Sequence, residues 1–209
     1  MSGMPVRSGL PASLLFACSE NSVRSPMAEA LLKRFAGTRI FVDSCGLKRG
    51  AIDPDEVDAD RLDALAEMGG RLMTLWMGQD GFDYSFQADY ARQWDDSIAA
   101  IAEVADHDPG LDIAIEYKPN EPRAHVVMPD MTTTLLALAE VGRKNTGVTL
   151  DFCHMLFAGE MPARAAVLAA RSSRILGVHL NDGYGKRDDG LIAGSVHPVQ
   201  TVELFVALD

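Results

Sequence analysis

Cysteine is scarce in this chain of 209 residues: Cys18, Cys45 and Cys153 are odd in number and far apart. That spacing excludes a disulfide framework and a cysteine-built zinc cluster, and it favours a reducing, cytoplasmic setting. Long apolar runs are missing too. No stretch approaches the roughly 18 residues of a membrane span. Met1 to Pro11 carries one Arg and no apolar segment, so neither a signal peptide nor a membrane partner is expected. Basic residues are in the minority, 19 against 30 acidic, and the formal net charge of −11 argues against a nucleic-acid partner. Internal repeats and low-complexity tracts are also absent.

What is present is ordinary globular composition, 47% hydrophobic and 23% charged, ample for a core. Short apolar runs alternate with amphipathic stretches, the pattern of βαβ units and a parallel sheet. The expected strands are Ser13–Ala17, Ile40–Asp43, Arg71–Trp76, Ile113–Tyr117, Val148–Phe152 and Ile175–Leu180. The expected helices are Pro26–Phe35, Arg61–Met68, Phe86–Ala105, Thr132–Val141, Pro162–Ala170 and Val199–Ala207. In the third helix, Phe86, Tyr90, Trp94, Ile98 and Ile101 recur at helical spacing and predict one buried face. Asp53–Asp63 holds six acidic residues and marks the expected join between a piece at 1–58 and a longer one at 59–209.

Near the N-terminus, Leu14 to Pro26 reads strand, loop, helix, with Ser25 placed to cap the helix and Pro26 at its first position. Backbone N–H groups and the positive dipole end make such a loop an anion site. Arg24 adds a fork for two phosphate oxygens. Cys18 opens the loop, where that field favours the nucleophilic thiolate. The run Cys18 to Ser25, with Pro26-Met27-Ala28-Glu29-Ala30 after it and Phe41 to Gly46 beyond, resembles the low-molecular-weight protein tyrosine phosphatases and their arsenate-reductase relatives. The resemblance implies Cys18 as nucleophile, Arg24 holding the phosphate, Asn21 and Ser25 shaping the loop and supporting the thiolate, and Cys18, Asn21, Ser22, Val23, Arg24 and Ser25 together as the phosphate-binding loop. Glu20 and Val23 depart from the family pattern. Its general acid, an Asp-Pro pair, has no counterpart, because Asp108-Pro109 reads as a turn before a strand. Efficient phosphatase turnover is therefore not expected.

In the longer piece, polar residues gather where strands end: Glu116 and Lys118, then Asp151 and His154, then His179, followed by Asp188 and Asp189. Sites form at the carboxyl ends of parallel strands. Carboxylates mixed with imidazoles suit Mn²⁺, Mg²⁺, Co²⁺ or Zn²⁺. The motifs Ile115 to Pro119, Leu150 to His154, His179 to Asp182, Asp188 to Leu191 and Gly194 to Pro198 resemble the xylose isomerase-like barrels, most closely the L-rhamnose isomerase group. That resemblance implies aldose–ketose isomerisation with two divalent metals, Mn²⁺ preferred. Glu116, Asp151 and His179 would hold one. His154, with Asp188 and perhaps Asp189, would hold the other, and Lys118 would contact substrate. It also implies an eighth strand and a fourth carboxylate that the sequence does not supply.

The fold expected from both pieces is α/β, built of parallel βα units with about six strands. It is an open or partial barrel, a flavodoxin-like βαβ start joined to half of a TIM barrel. Open inner strands favour a homo-oligomer that completes the sheet. Three functions stand: a sugar isomerase with weak turnover, a cysteine phosphatase acting through Cys18, and a non-catalytic scaffold. The ligand is a small sugar or a phosphorylated molecule.

Overall fold

The computed structural model describes residues 13–18, 41–46, 59–76, 88–121 and 124–209. Two strands open the chain, β1 (Ser13–Cys18) and β2 (Phe41–Gly46), paired in parallel from Ser13 opposite Phe41 to Cys18 opposite Gly46. The helix expected at 26–35 and the loop from Ser19 to Ser25 lie outside the described residues, as does Phe86.

A second parallel sheet follows, with strand order β3 (Leu72–Leu75), β4 (Asp112–Ile115), β7 (Thr146–Asp151) and β8 (Ile175–His179). A two-residue hairpin pair, β5 (Asn120–Glu121) with β6 (Ala124–His125), branches off after β4. The helices are α1 (Ala59–Glu67), α2 (Tyr90–His107), α3 (Met131–Val141), α4 (Phe152–Phe157), α5 (Pro162–Ser172) and α6 (Pro198–Leu208). The four parallel strands β3, β4, β7 and β8, with helices between them, fit the partial barrel that the sequence pattern predicts, while β1 and β2 form a separate parallel pair. No helix among the described residues is long and apolar enough to cross a membrane.

Side chains on a strand alternate between two faces, and here the alternation separates packing from chemistry. Leu75, Ile113, Ile115, Tyr117, Val148 and Leu150 belong to one buried cluster with Ile101, Val104, Met131, Leu138 and Ala166 of the helices. Burying each such side chain stabilises the fold by about 1.5–3 kcal/mol. The intervening positions carry Thr74, Ala114, Glu116, Gly147, Thr149, Asp151, Gly177 and His179. Register aligns them: Thr74 lies beside Ala114, Ala114 beside Gly147, Thr149 beside Gly177, and Asp151 beside His179. A Thr74–Thr149 hydroxyl contact of 3.2 Å spans this polar face.

Three local expectations are corrected. Within the described part of the expected helical face, burial grows toward the C-terminal end: Tyr90 is 55% exposed, Trp94 and Ile98 pack half-buried against the core, and Ile101 is sealed. Helix α2 begins at Tyr90, capped by Asp89, which accepts from the Arg92 N–H, so Tyr90 sits in a solvated first turn. Phe152 is the first residue of α4 rather than the last of a strand, because the Asp151 carboxylate caps that helix by accepting from the His154 N–H. Strand β4 pairs only to Ile115, which leaves Tyr117 past its end although still in the core. Asp108-Pro109 is a turn, as its surroundings predict: the Asp108 carboxylate accepts from the Gly110 N–H ahead of β4.

Candidate metal centre

At the carboxyl end of the sheet, four consecutive strands deliver one polar group each. Trp76 follows β3, Glu116 follows β4, Asp151 ends β7 and His179 ends β8. The short helix α4 turns back from Asp151 and puts His154 among them, buried at 5% exposure. One ligand atom from each of Glu116, Asp151 and His154 lies within 4.8 Å of the others. His179 Nδ1 stands 3.2 Å from Glu116 and 3.6 Å from Asp151 on the more exposed side. His154 Nδ1 is 3.4 Å from Glu116, and its Nε2 is 3.5 Å from Asp188.

Two of these groups are electrostatically displaced. The Asp151 carboxylate and then the Glu116 carboxylate beside it push His179 up to about 10. Burial pushes the Asp151 carboxyl up, but the His179 ring, His154 and Asn181 outweigh it and hold Asp151 below the usual carboxylate range. Asn181 donates to both Asp151 oxygens at 3.0 Å and accepts from the Cys153 N–H at 2.8 Å, which fixes the carboxylate's orientation.

His154 provides the test of whether a cation fits. Neither of its ring nitrogens makes a hydrogen bond among the described residues, although the ring is buried. An unpaired buried polar atom is costly, and carboxylates at 3.4 and 3.5 Å in poor hydrogen-bond geometry do not offset that cost. Two carboxylates and an imidazole around such a nitrogen form a donor set suited to a divalent cation. The residues fit one.

Lys118 is buried at 3% exposure, with Nζ 3.3 Å from Asp188 and 4.9 Å from the centre of the Trp76 ring. Asp188 therefore links Lys118 to His154. Asp189 is engaged elsewhere: it accepts from the Tyr184 N–H and from Arg187 Nε, which hold its carboxyl low. The loop carrying both aspartates is anchored by Asp182, fully buried, which accepts from the N–H groups of Gly183, Val196 and His197 and faces His197 Nδ1 at 2.8 Å. Burial would raise the Asp182 carboxyl, but these donors bring it down to about 2.

Of the residues expected from sequence, the structure brings together Glu116, Lys118, Asp151, His154, His179 and Asp188, and keeps Asp189 in its own loop contacts. Trp76 and Asn181 belong beside the site and were not singled out by sequence. The dipeptide Asn181-Asp182 after a strand ending in His is a signal that could have pointed to the second. Cys18 closes β1, and Asn21, Ser22, Val23, Arg24 and Ser25 lie outside the described residues.

Comparison with known proteins gives this geometry a context. The family described as xylose isomerase-like TIM barrel matches residues 44–203. The match begins at Ser44, within the segment that resembles the phosphatases, and nothing found supports a phosphatase part or a chimera. Xylose isomerase from Thermus thermophilus is 27% identical over 137 residues, 62% of this chain and 35% of that enzyme. Xylose isomerase from Burkholderia thailandensis is 30% identical over 103 residues, 47% of this chain and 23% of the enzyme. The chain thus spans about a third or less of the length of these curated relatives.

Solved structures share the fold. A D-tagatose 3-epimerase-like protein superposes with a TM-score of 0.67 at 18% identity, covering 94% of this chain and 77% of that one. D-allulose 3-epimerase from Methylomonas sp., in complex with D-allulose, gives 0.58 at 21% identity, covering 88% of this chain and 63% of its own. Four parallel strands converging on a cation-sized cluster, inside a sequence match over most of the chain, place this protein in the xylose isomerase-like TIM barrel family.

Proposed function

We propose that this chain binds a divalent cation, Mn²⁺ foremost, and uses it in the aldose–ketose isomerisation of a small sugar. The observation that carries the proposal is the buried His154 ring, without a hydrogen bond among the described residues, within 4.8 Å of Glu116 and Asp151 ligand atoms. Glu116, Asp151 and His179 would hold one cation, and His154 with Asp188 a second. When bound, a cation there supplies Lewis-acid polarisation of adjacent sugar oxygens. The chain's own groups do the rest. Lys118, confined by Trp76 and Asp188, points a cationic donor at a sugar oxygen. Asn181 keeps Asp151 oriented. The Trp76 ring beside Lys118 offers an apolar wall to a sugar face.

Epimerisation of a ketose is the neighbouring reading, favoured by the D-tagatose-type and D-allulose epimerases among the structural relatives. Product analysis separates the two. With Mn²⁺ present, D-xylose converted to its ketose supports isomerisation, and D-allulose converted to its epimer supports epimerisation. Loss of either conversion in Glu116→Gln ties it to this site. Neither conversion, together with no Mn²⁺ uptake, would sink the proposal.

The phosphatase reading retains its motif, Cys18 to Ser25, and a strand that ends on Cys18. Its check is p-nitrophenyl phosphate hydrolysis that disappears in Cys18→Ser. Hydrolysis unchanged by that substitution would remove Cys18 as nucleophile.

A further inference from the structure

Tyr117 lies between two residues of the site, Glu116 and Lys118, yet strand alternation turns its side chain to the opposite, helix-packed side of the sheet. There it is 2% exposed, within the hydrophobic cluster. Its hydroxyl donates to Glu160 Oε2. The other oxygen, Glu160 Oε1, accepts from the Met131 N–H at 2.9 Å, a first-turn donor of α3 that the Asp130 cap leaves unfilled, since Asp130 takes the Thr133 N–H.

Glu160 is itself held. It follows α4, the helix that carries His154, and its N–H donates to the Met155 carbonyl at 3.0 Å. Gly159, at φ 70°, makes the left-handed turn that brings it there. The Tyr117–Glu160 bond therefore joins the segment bearing Glu116 and Lys118 to the end of the helix bearing His154, across 43 residues of sequence. The β4 ladder's last bond among the described residues is the Glu116 N–H to the Leu75 carbonyl at 2.9 Å, so Tyr117 is the next group along that can fix the segment's direction toward Lys118.

We propose that Tyr117 is a positioning residue for the metal centre: bonded to Glu160 behind the sheet, it fixes the segment from which Glu116 and Lys118 project toward His154. This inference rests on the metal reading above. Partners of metal ligands typically alter affinity by about 10–100-fold when removed. Tyr117 acts one step further back, so the expected effect is about tenfold.

The experiment is Mn²⁺ titration, read by the EPR signal of free Mn²⁺, on wild type, Tyr117→Phe, Glu160→Gln and the core control Val104→Ala, well below their melting temperatures. Tyr117→Phe should weaken Mn²⁺ binding about tenfold, Glu160→Gln by less because its amide oxygen can still accept from Tyr117, and Val104→Ala not at all. If Tyr117→Phe does not fold, a weakening in Glu160→Gln beyond twofold carries the inference. Binding within twofold of wild type in the folded Tyr117 and Glu160 variants would overturn it. So would an equal weakening in Val104→Ala, because stability alone would then set affinity. No uptake by wild type overturns the metal reading first, and this inference with it.

Discussion

The two ends of the four-stranded sheet are built on different principles. At the amino end, charges are paired: Arg174 forks onto both Asp112 oxygens at 2.5 and 3.0 Å and onto the Lys144 carbonyl, and Arg143 meets Asp106 at 2.7 and 2.8 Å. Asn145 closes that end by donating to the Ala105 and Leu111 carbonyls. At the carboxyl end, Glu116, Asp151 and Asp188 crowd two histidines and one lysine, and a buried imidazole is left without a hydrogen bond. Paired charges of that kind are satisfied by one another and, being exposed, add little stability. Crowded carboxylates around an unsatisfied ring are arranged for something that is not a side chain.

The first way to break this contrast is to damage packing alone. Ile113→Ala, on the helix-packed face of β4, should cost about 2–5 kcal/mol, seen as a lowered denaturant midpoint, while Mn²⁺ affinity of the folded protein stays put. Glu116→Gln should do the reverse. It removes a proposed ligand and should weaken Mn²⁺ uptake by roughly 100-fold or more, at or beyond the range for outer partners, with the metal-free melting temperature unchanged or raised. If both variants change both readouts together, packing and site chemistry are not separable.

A finer test is Asn181→Ala, which leaves every proposed ligand in place and frees the Asp151 carboxylate. Mn²⁺ affinity should fall about tenfold. Acid titration sharpens the comparison for the loop bearing Asp188. Asp182 has a folded value of about 2, below its unfolded value. Its stabilising contribution is fully present above about pH 4 and lost as pH falls through about 2. Asp182→Asn should flatten the melting temperature across that window and leave it unchanged in shape near neutral pH. Smallest of all, Arg174→Ala at the exposed amino end should cost no more than about 1 kcal/mol and leave Mn²⁺ binding unaltered.

Much of this was legible in sequence, for identifiable reasons. Strand positions followed from apolar runs, and Glu116, Asp151 and His179 from their places at strand ends. The sequence also points to His154 but not to its depth. The helix that buries it, α4, has six residues, too few for periodicity to register, and Phe152 looks like strand until Asp151 is seen capping it. Asp188 and Asp189 look equivalent in sequence, because the Arg187 and Tyr184 N–H contacts of Asp189 depend on how the loop folds. The Tyr117–Glu160 bond was invisible, because nothing local in either residue specifies a partner so distant in sequence. The N-terminal motif was the most readable feature of all, and it pointed to a family that the comparisons do not support.

The central claim is that the carboxyl end of the sheet holds a divalent cation, and a crystal grown with Mn²⁺ tests it most directly. An anomalous difference map at the manganese edge should show a peak among Glu116, Asp151 and His179, and a second beside His154 and Asp188. A map with no peak at either place, from crystals soaked in a large excess of Mn²⁺, would contradict the account.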